Sequence, residues 1–175
     1  MNWFAVAVKP RHEKLAARVL RDQGLEDFLP LCRSRRRWSD RLKEIEAPLF
    51  AGYVFCRFSP QDRTPVLKTP GVKSIVAFGG QPAPVADSEI SAIRRAVGSG
   101  LPVEPWPLLG EGQPVRIERG PLSGLRGVLV RARDNWRLVV SVELLQRSVA
   151  VEVDRDDVAC PPYSASLSKT GHSRA

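Results

Sequence analysis

Side chains that carry catalysis or bind metals are few in this sequence of 175 residues, and they lie far apart. The two histidines are His12, at the predicted start of a helix, and His172, near the end of the chain. Cys32, Cys56 and Cys160 form no CxxC pair and no Cys/His cluster with the spacing of a zinc site. This pattern predicts no metal site and is typical of reduced thiols in a cytoplasmic protein.

The acidic residues give no stronger indication of an active site. Asp154, Asp156 and Asp157 follow the last predicted strand, where they would keep a loop solvated. The sequence contains neither a nucleophile elbow nor a phosphate-binding glycine loop. We therefore predict a protein that has no catalytic residues and no cofactor, and that is not an enzyme.

Positive charge is concentrated in the first 100 residues. That segment holds 17 Lys and Arg against 10 Asp and Glu, whereas residues 101–158 hold 8 against 9, and the whole chain carries a net charge of +8. An excess confined to one part of the chain suits a polyanion such as nucleic acid, although a basic surface facing solvent would give the same count.

The densest cationic stretch runs from Arg33 to Lys43 and includes one aromatic residue, Trp38. Its place between two predicted strands indicates a projecting hairpin or loop, which is either a solvated connection or a nucleic-acid contact. The candidate nucleic-acid-binding residues are Lys9, Arg11, Arg33, Arg35, Arg36, Arg37 and Arg41.

The element expected to organise the first half of the chain is a strand over Tyr53–Phe58, where six residues of high β-propensity follow a glycine. Side chains alternate along a strand, so Val54 and every second residue after it share one face, which we expect to lie on helices. Tyr53 and Phe55 lie on the other face, which requires a different cover.

Residues 1–98 are predicted to form an α+β domain with a four-stranded antiparallel sheet. Three more strands and three helices complete it. The strands are expected at Trp3–Val8, Phe28–Cys32 and Val72–Phe78, and the helices at His12–Gln23, near Pro65–Lys68 and after Asp87.

Beyond this domain the pattern changes. Residues 99–109, rich in proline and glycine, are predicted to be a linker. Residues 110–159 contain short β-branched runs separated by turn signals, which predicts a small all-β barrel of about five strands. Residues 160–175 are rich in serine and lack periodicity, so we expect a disordered tail.

Two parts of the sequence resemble a known family. Gly112–Val128 resembles a KOW motif, and Trp3–Glu13 with Pro48–Phe58 resembles the NGN domain of NusG-like transcription elongation factors. The resemblance covers residues 3–158 and both domains in their family order. It implies that the barrel is SH3-like and that the NGN domain binds the clamp helices of RNA polymerase. It also implies contact of the cationic residues with upstream or nontemplate DNA, with Trp38 as a candidate for base stacking.

Carried over by position, the resemblance implies a polymerase-binding concavity formed by Tyr53, Phe55, Phe78, Ile90 and Ile93. We expect these side chains to form an open apolar trough, and ordinary core packing of the same residues is the alternative. The implied function is a monomeric elongation or antitermination factor that reduces pausing or termination. The alternative function is an RNA-binding or ribosome-associated KOW protein.

One departure from the family pattern lies in the barrel. Housekeeping members carry a Phe-Gly pair in a loop that meets Rho or a small-subunit ribosomal protein, and here Leu145 and Gln146 stand in its place. The candidate partner-binding residues of the barrel are Leu144, Leu145 and Arg147. This departure makes the chain more similar to specialised RfaH-like or UpxY-like paralogues that serve a subset of operons. The many valines between residues 139 and 153 favour a barrel without a stable helical form.

No membrane or export segment is predicted. The apolar start of the chain ends at Lys9, with no basic residue before it and no Ala-x-Ala cleavage site. No apolar run approaches the ~18 residues that a membrane-spanning helix needs. We therefore predict a cytoplasmic protein that does not contact a membrane.

Overall fold

We describe the computed structural model over residues 1–38, 41–107, 112–132 and 135–159, without the side chains of residues 34–38, 41–44, 107, 132, 155 and 159. The first domain contains three helices, α1 (Glu13–Asp22), α2 (Arg63–Lys68) and α3 (Asp87–Gly98). Its strands are β1 (Asn2–Val8), β2 (Glu26–Phe28), β3 (Leu31–Trp38), β4 (Arg41–Pro48), β5 (Tyr53–Phe58), β6 (Val72–Ile75), β7 (Ala77–Phe78), β8 (Gln81–Pro82) and β9 (Pro84–Val85).

The central sheet has the order β2-β5-β1-β6, and β9 also pairs with β1. Strands β1 and β5 are antiparallel, with Phe4 opposite Cys56 and Ala5 opposite Phe55. The face that carries Phe4 and Cys56 is buried against α1 and α2. This confirms that the face of β5 beginning at Val54 lies on helices.

Two predicted strands differ from the observed ones because of local backbone chemistry. The strand expected at Phe28–Cys32 is interrupted at Leu29 and Pro30, and proline has no amide hydrogen to donate to a ladder. The strand expected at Val72–Phe78 is interrupted at Val76, which donates its amide to Ala5 O and accepts from Ala83 N. The sheet has five strands rather than four because β9 also pairs with β1, and β3–β4 and β7–β8 are separate hairpins.

The second domain is an all-β barrel, as predicted. Its six strands form one antiparallel sheet in the order β10-β14-β13-β12-β11-β15. The strands are β10 (Val103–Pro107), β11 (Gln113–Ile117), β12 (Arg126–Ala132), β13 (Asn135–Val142), β14 (Arg147–Val153) and β15 (Val158–Ala159).

Strand β10 lies inside the segment predicted to be a linker. Gly127, in β12, runs so close to β13 that an added Cβ would lie 2.5 Å from Val139 O, which explains why this position carries glycine. The α+β fold class is thus confirmed. Among the helices of the described residues, none is long and apolar enough to cross a membrane.

Candidate functional site

Four of the five residues predicted to form the apolar trough lie in one hydrophobic cluster. Phe55 of β5 and Ile90 and Ile93 of α3 are completely buried, and Tyr53 at the start of β5 is partly buried. The ring of Phe55 makes an edge contact with Phe50, with centroids 5.4 Å apart. The alternation of β5 and the helical spacing of α3 together place these side chains between the sheet and α3.

Phe78 is separate from this cluster. It lies in β7, next to the turn Gly79–Gly80, and its side chain is 87% exposed. Both glycines have positive φ angles, 58° and 78°, which the two-residue turn between β7 and β8 requires. Phe78 therefore projects at the tip of a short hairpin.

The expectation of an open trough is wrong for this structure, because these side chains pack into a cluster formed by residues of the first domain and of the barrel. The apolar residues around Phe55 continue without a break into the barrel, where they join Leu122, Val142 and Leu145. Helix α3 packs beside β13. The face of β5 that needed a cover is thus closed by α3 together with the second domain.

Polar contacts surround this junction. Arg147 Nη1 of β14 donates to Ala51 O at 2.9 Å, and its guanidinium lies 5.1 Å from the centroid of the Tyr53 ring. Glu89 of α3 accepts the Glu143 amide through Oε1 at 3.2 Å.

Arg95 of α3 donates to the carbonyl of Ser123 in the barrel. We call the contacts made by Arg147, Glu89 and Arg95 the docking contacts. Sequence reasoning missed Glu89 and Arg95, because a charged residue on the solvent side of a helix carries no local sign of a distant partner.

The turn that contains Ala51 and precedes β5 is held in place by a buried carboxylate of α1. Glu13, at the first position of α1, is 7% exposed and accepts the Gly52 amide at 2.9 Å through Oε1. Gly52 O in turn accepts the Val8 amide at 2.9 Å. The acceptor of the Arg147 hydrogen bond therefore sits on a turn that is anchored to both α1 and β1.

The residues predicted to bind a partner of the barrel lie on the same junction. Leu145 is buried, Leu144 packs against the shared cluster, and Arg147 makes the docking contact described above. Gln146 has a left-handed backbone with φ of 52°, a conformation that glycine adopts without strain. Its side-chain Nε2 donates to Glu143 O at 2.9 Å, which ties the turn together.

The cationic residues lie elsewhere on the first domain. Lys9, Arg11 and Arg33 are exposed, and the Lys9 amide donates to Gly71 O at 2.8 Å. The β3–β4 ladder pairs Arg33 with Glu46 and extends to Trp38 opposite Arg41. The side chains of Arg35, Arg36, Arg37 and Arg41 lie outside the described residues.

The two described cysteines are buried in the first domain. Burial raises the pKa of Cys56 to about 12 and also raises the pKa of Cys32. Both thiols are therefore protonated at neutral pH. Within the described ranges, no three His, Cys, Asp or Glu side chains come together in a way that could hold a metal ion.

Comparisons with known proteins agree with this architecture. Residues 1–94, more than half of the chain, match the family model NusG, described as transcription termination factor nusG. The transcription termination/antitermination protein NusG of Pseudomonas aeruginosa is 28% identical over 171 residues, which covers 90% of this chain and 97% of that protein. The protein of the same name from Lactococcus lactis is also 28% identical, over 90% of this chain and 91% of that protein.

A solved structure described as "Domain interaction in Thermotoga maritima NusG" has the same fold. It covers 91% of this chain and 96% of its own, with a TM-score of 0.54 and 24% identity. The central sheet, the barrel and the family match together lead to one conclusion: this chain belongs to the NusG family of transcription termination and antitermination proteins.

Proposed function

We propose that this protein is a transcription elongation and antitermination factor that binds the clamp helices of RNA polymerase. The binding face would be formed by Tyr53, Phe55, Ile90 and Ile93, and Phe78 of the β7–β8 hairpin would be a further contact. Binding would disfavour the paused state of polymerase, because a ligand shifts an equilibrium toward the state that it binds better.

The observation that carries the proposal is that residues of the barrel take part in burying this face. Phe55 and Ile93 are 0% exposed, and the cluster that buries them contains residues of the barrel, such as Leu122 and Leu145, as well as residues of the first domain. Apolar side chains that are covered by a second domain become accessible when that domain moves away. An amphipathic helical partner could then occupy the space that the barrel leaves.

Docking of the barrel would regulate this binding. If polymerase binds only the undocked form, its apparent Kd equals the intrinsic Kd divided by the undocked fraction. Weakening the docking contacts should then tighten polymerase binding. The same movement would release Leu144, Leu145 and Arg147 for a partner of the barrel, such as a small-subunit ribosomal protein or Rho.

Two further assignments belong to the proposal. Lys9, Arg11, Arg33, Arg35, Arg36, Arg37 and Arg41 would contact upstream or nontemplate DNA. Leu145 and Gln146, in place of the Phe-Gly pair, support a specialised role on a subset of operons. The left-handed backbone of Gln146 supports this alignment, since it is the conformation that suits the glycine of that pair.

An elongation assay with purified polymerase tests the proposal. The variant Arg147→Ala removes a docking contact, and adding Tyr53→Ala then removes a polymerase contact without changing docking through Arg147. We expect Arg147→Ala to increase pause suppression. The second substitution should weaken polymerase binding about thirtyfold, since an aromatic anchor contributes on the order of 2 kcal/mol. Tyr163→Ala, at the other tyrosine of the chain, is the matched control.

Two results would contradict the proposal. One is pausing that stays unchanged at saturating protein, together with no capture of polymerase. The other is co-sedimentation with ribosomes that survives Tyr53→Ala but is lost when Arg35, Arg36 and Arg37 become alanine. The latter result would favour the ribosome-associated alternative.

A further inference from the structure

The segment between the two domains contains a strand that is integrated into the barrel. Strand β10 pairs with β14 from Val103 opposite Val151 to Pro107 opposite Arg147. Glu152 N donates to Pro102 O at 3.1 Å, which fixes the phase of the ladder. In an antiparallel ladder with this phase, the amides of Glu104 and Trp106 point toward β14.

A side chain of the strand beyond β14 also holds β10. Arg137 of β13 forms an ion pair with Glu104 and lies 5.5 Å from the centroid of the Trp106 ring. Arg137 is opposite Glu152 of β14, and Glu104 is opposite Ala150, so the Arg137 side chain crosses β14 diagonally to contact β10. Strand β10 is therefore fixed to two strands of the barrel, and its contact with β3 of the first domain is much smaller than its contact with β14.

Only four residues separate the end of α3 from the start of β10. Ser99 ends the helix by donating its hydroxyl to Ala96 O at 2.7 Å, and its Oγ accepts the Leu101 amide at 3.2 Å. Gly100 follows with φ of 77°, and no atom lies within 4 Å of the Cβ that another residue would add. The segment borders a cavity of about 750 Å³ that is also lined by Leu31 and Arg33 of β3 and by Glu46 of β4.

The length of the connection between α3 and the barrel sets how far the barrel can move from the first domain. The five Cα–Cα steps from Gly98 to Val103 span at most about 18 Å, whereas the fifteen steps from Gly98 to Gln113, with β10 detached, would span at most about 54 Å. Which of these two spans limits the movement depends on whether β10 stays paired with β14 when the barrel leaves the first domain.

We infer that β10 moves with the barrel, so that Ser99–Pro102 is a hinge and the barrel opens as a lid that stays beside α3. A partner bound to Leu144, Leu145 or Arg147 would then be held next to the uncovered face of β5 and α3. The inference concerns the movement of this chain and does not depend on polymerase binding.

Amide hydrogen exchange of the full-length chain tests the hinge. In Arg147→Glu, the docking contact is removed, and the carboxylate that replaces the guanidinium cannot donate to the carbonyl oxygen of Ala51, so the barrel should undock. The Glu143 amide donates to Glu89 across the two domains, so its loss of protection from exchange reports undocking. We expect the Glu104 and Trp106 amides to keep protection within about tenfold of the unaltered protein. Exchange of both amides at the rate of an unstructured peptide, in step with Glu143, would overturn the inference.

A second variant tests the attachment of β10 even if Arg147→Glu stays docked. Glu104→Pro removes an amide that points toward β14, whereas Glu104→Ala loses the same ion pair and keeps the amide. If β10 belongs to the barrel, the proline variant should lower the protection of β13 and β14 amides at least tenfold relative to the alanine variant. Equal protection in the two variants would show that β10 does not belong to the barrel and would overturn the inference.

Discussion

The guanidinium of Arg147 lies 5.1 Å from the centroid of the Tyr53 ring, which joins β14 of the barrel to the first residue of β5. Each residue belongs to a different predicted binding surface. Tyr53 was expected to meet polymerase and Arg147 to meet a partner of the barrel. Since the two side chains contact each other, we expect a partner that binds either of them to displace the other while the domains are docked.

Removing the Arg147 side chain should shift the chain toward the undocked form. A cation over an exposed aromatic ring and a hydrogen bond from a charged donor together contribute about 1 kcal/mol at a partly exposed site, or roughly fivefold in the docking equilibrium. We expect Arg147→Ala to change the amide NMR shifts of α3 and of the turn at Ala51. Arg131→Ala is the matched control, because Arg131 lies over Trp136 within the barrel at 5.8 Å. Equal shifts in the two variants would contradict the assignment of Arg147 to docking.

Two glycines with similar backbone angles test how closely the turn at Gly71, whose carbonyl accepts the Lys9 amide, packs against His12. Gly71 and Gly24 have φ angles of 87° and 80°, so alanine is strained at both, but only at Gly71 would the new Cβ meet another residue, His12 Cβ at 2.8 Å. We expect Gly24→Ala to lower the free energy of unfolding by about 1 kcal/mol and Gly71→Ala by about 1–3 kcal/mol more. Urea denaturation measures the difference. Equal losses in the two variants would show that the contact with His12 relaxes without cost.

The Cys56 thiol should make the stability of the first domain depend on alkaline pH. Its pKa is about 12 in the folded chain, above the value of 9.0 for the free side chain. Between these two values the unfolded chain has lost the proton and the folded chain has kept it, so stability falls as pH rises. We expect the midpoint of urea unfolding to decrease from pH 9 upward, and to decrease less in Cys56→Ala.

A control for this prediction is the reaction with a thiol reagent at pH 8. In a Cys32→Ala, Cys160→Ser background, Cys56 should react only as fast as the domain unfolds, because the buried thiol carries little thiolate. Rapid labelling of the folded chain would contradict the burial of this residue.

The sequence predicted the faces of the central strand but not what covers them. The alternation that begins at Val54 correctly placed Cys56 over the helices, and the apolar character of Phe55 showed that the other face needed a cover. The alternation of apolar residues predicts which side chains are buried, but it does not predict which other part of the chain buries them. The contact of Glu89 with Glu143 joins two locally ordinary polar residues, so no local pattern could announce it.

The strand within the linker was missed for a different reason. Prolines are depleted in strands, so a segment with Pro105 and Pro107 does not indicate one. Their positions in the register explain why the strand is nonetheless possible, because the ladder uses the amides of Glu104 and Trp106 instead.

The placement of those prolines also limits how another chain could pair with this sheet. Strand β10 is the outermost strand at one side of the barrel sheet, and its outward positions at residues 105 and 107 have no hydrogen to offer a neighbouring chain. An unprotected strand at this position would be a template for intermolecular sheets and aggregates at high concentration. The segment that tethers the barrel therefore offers a second molecule fewer amide hydrogens with which to extend the sheet.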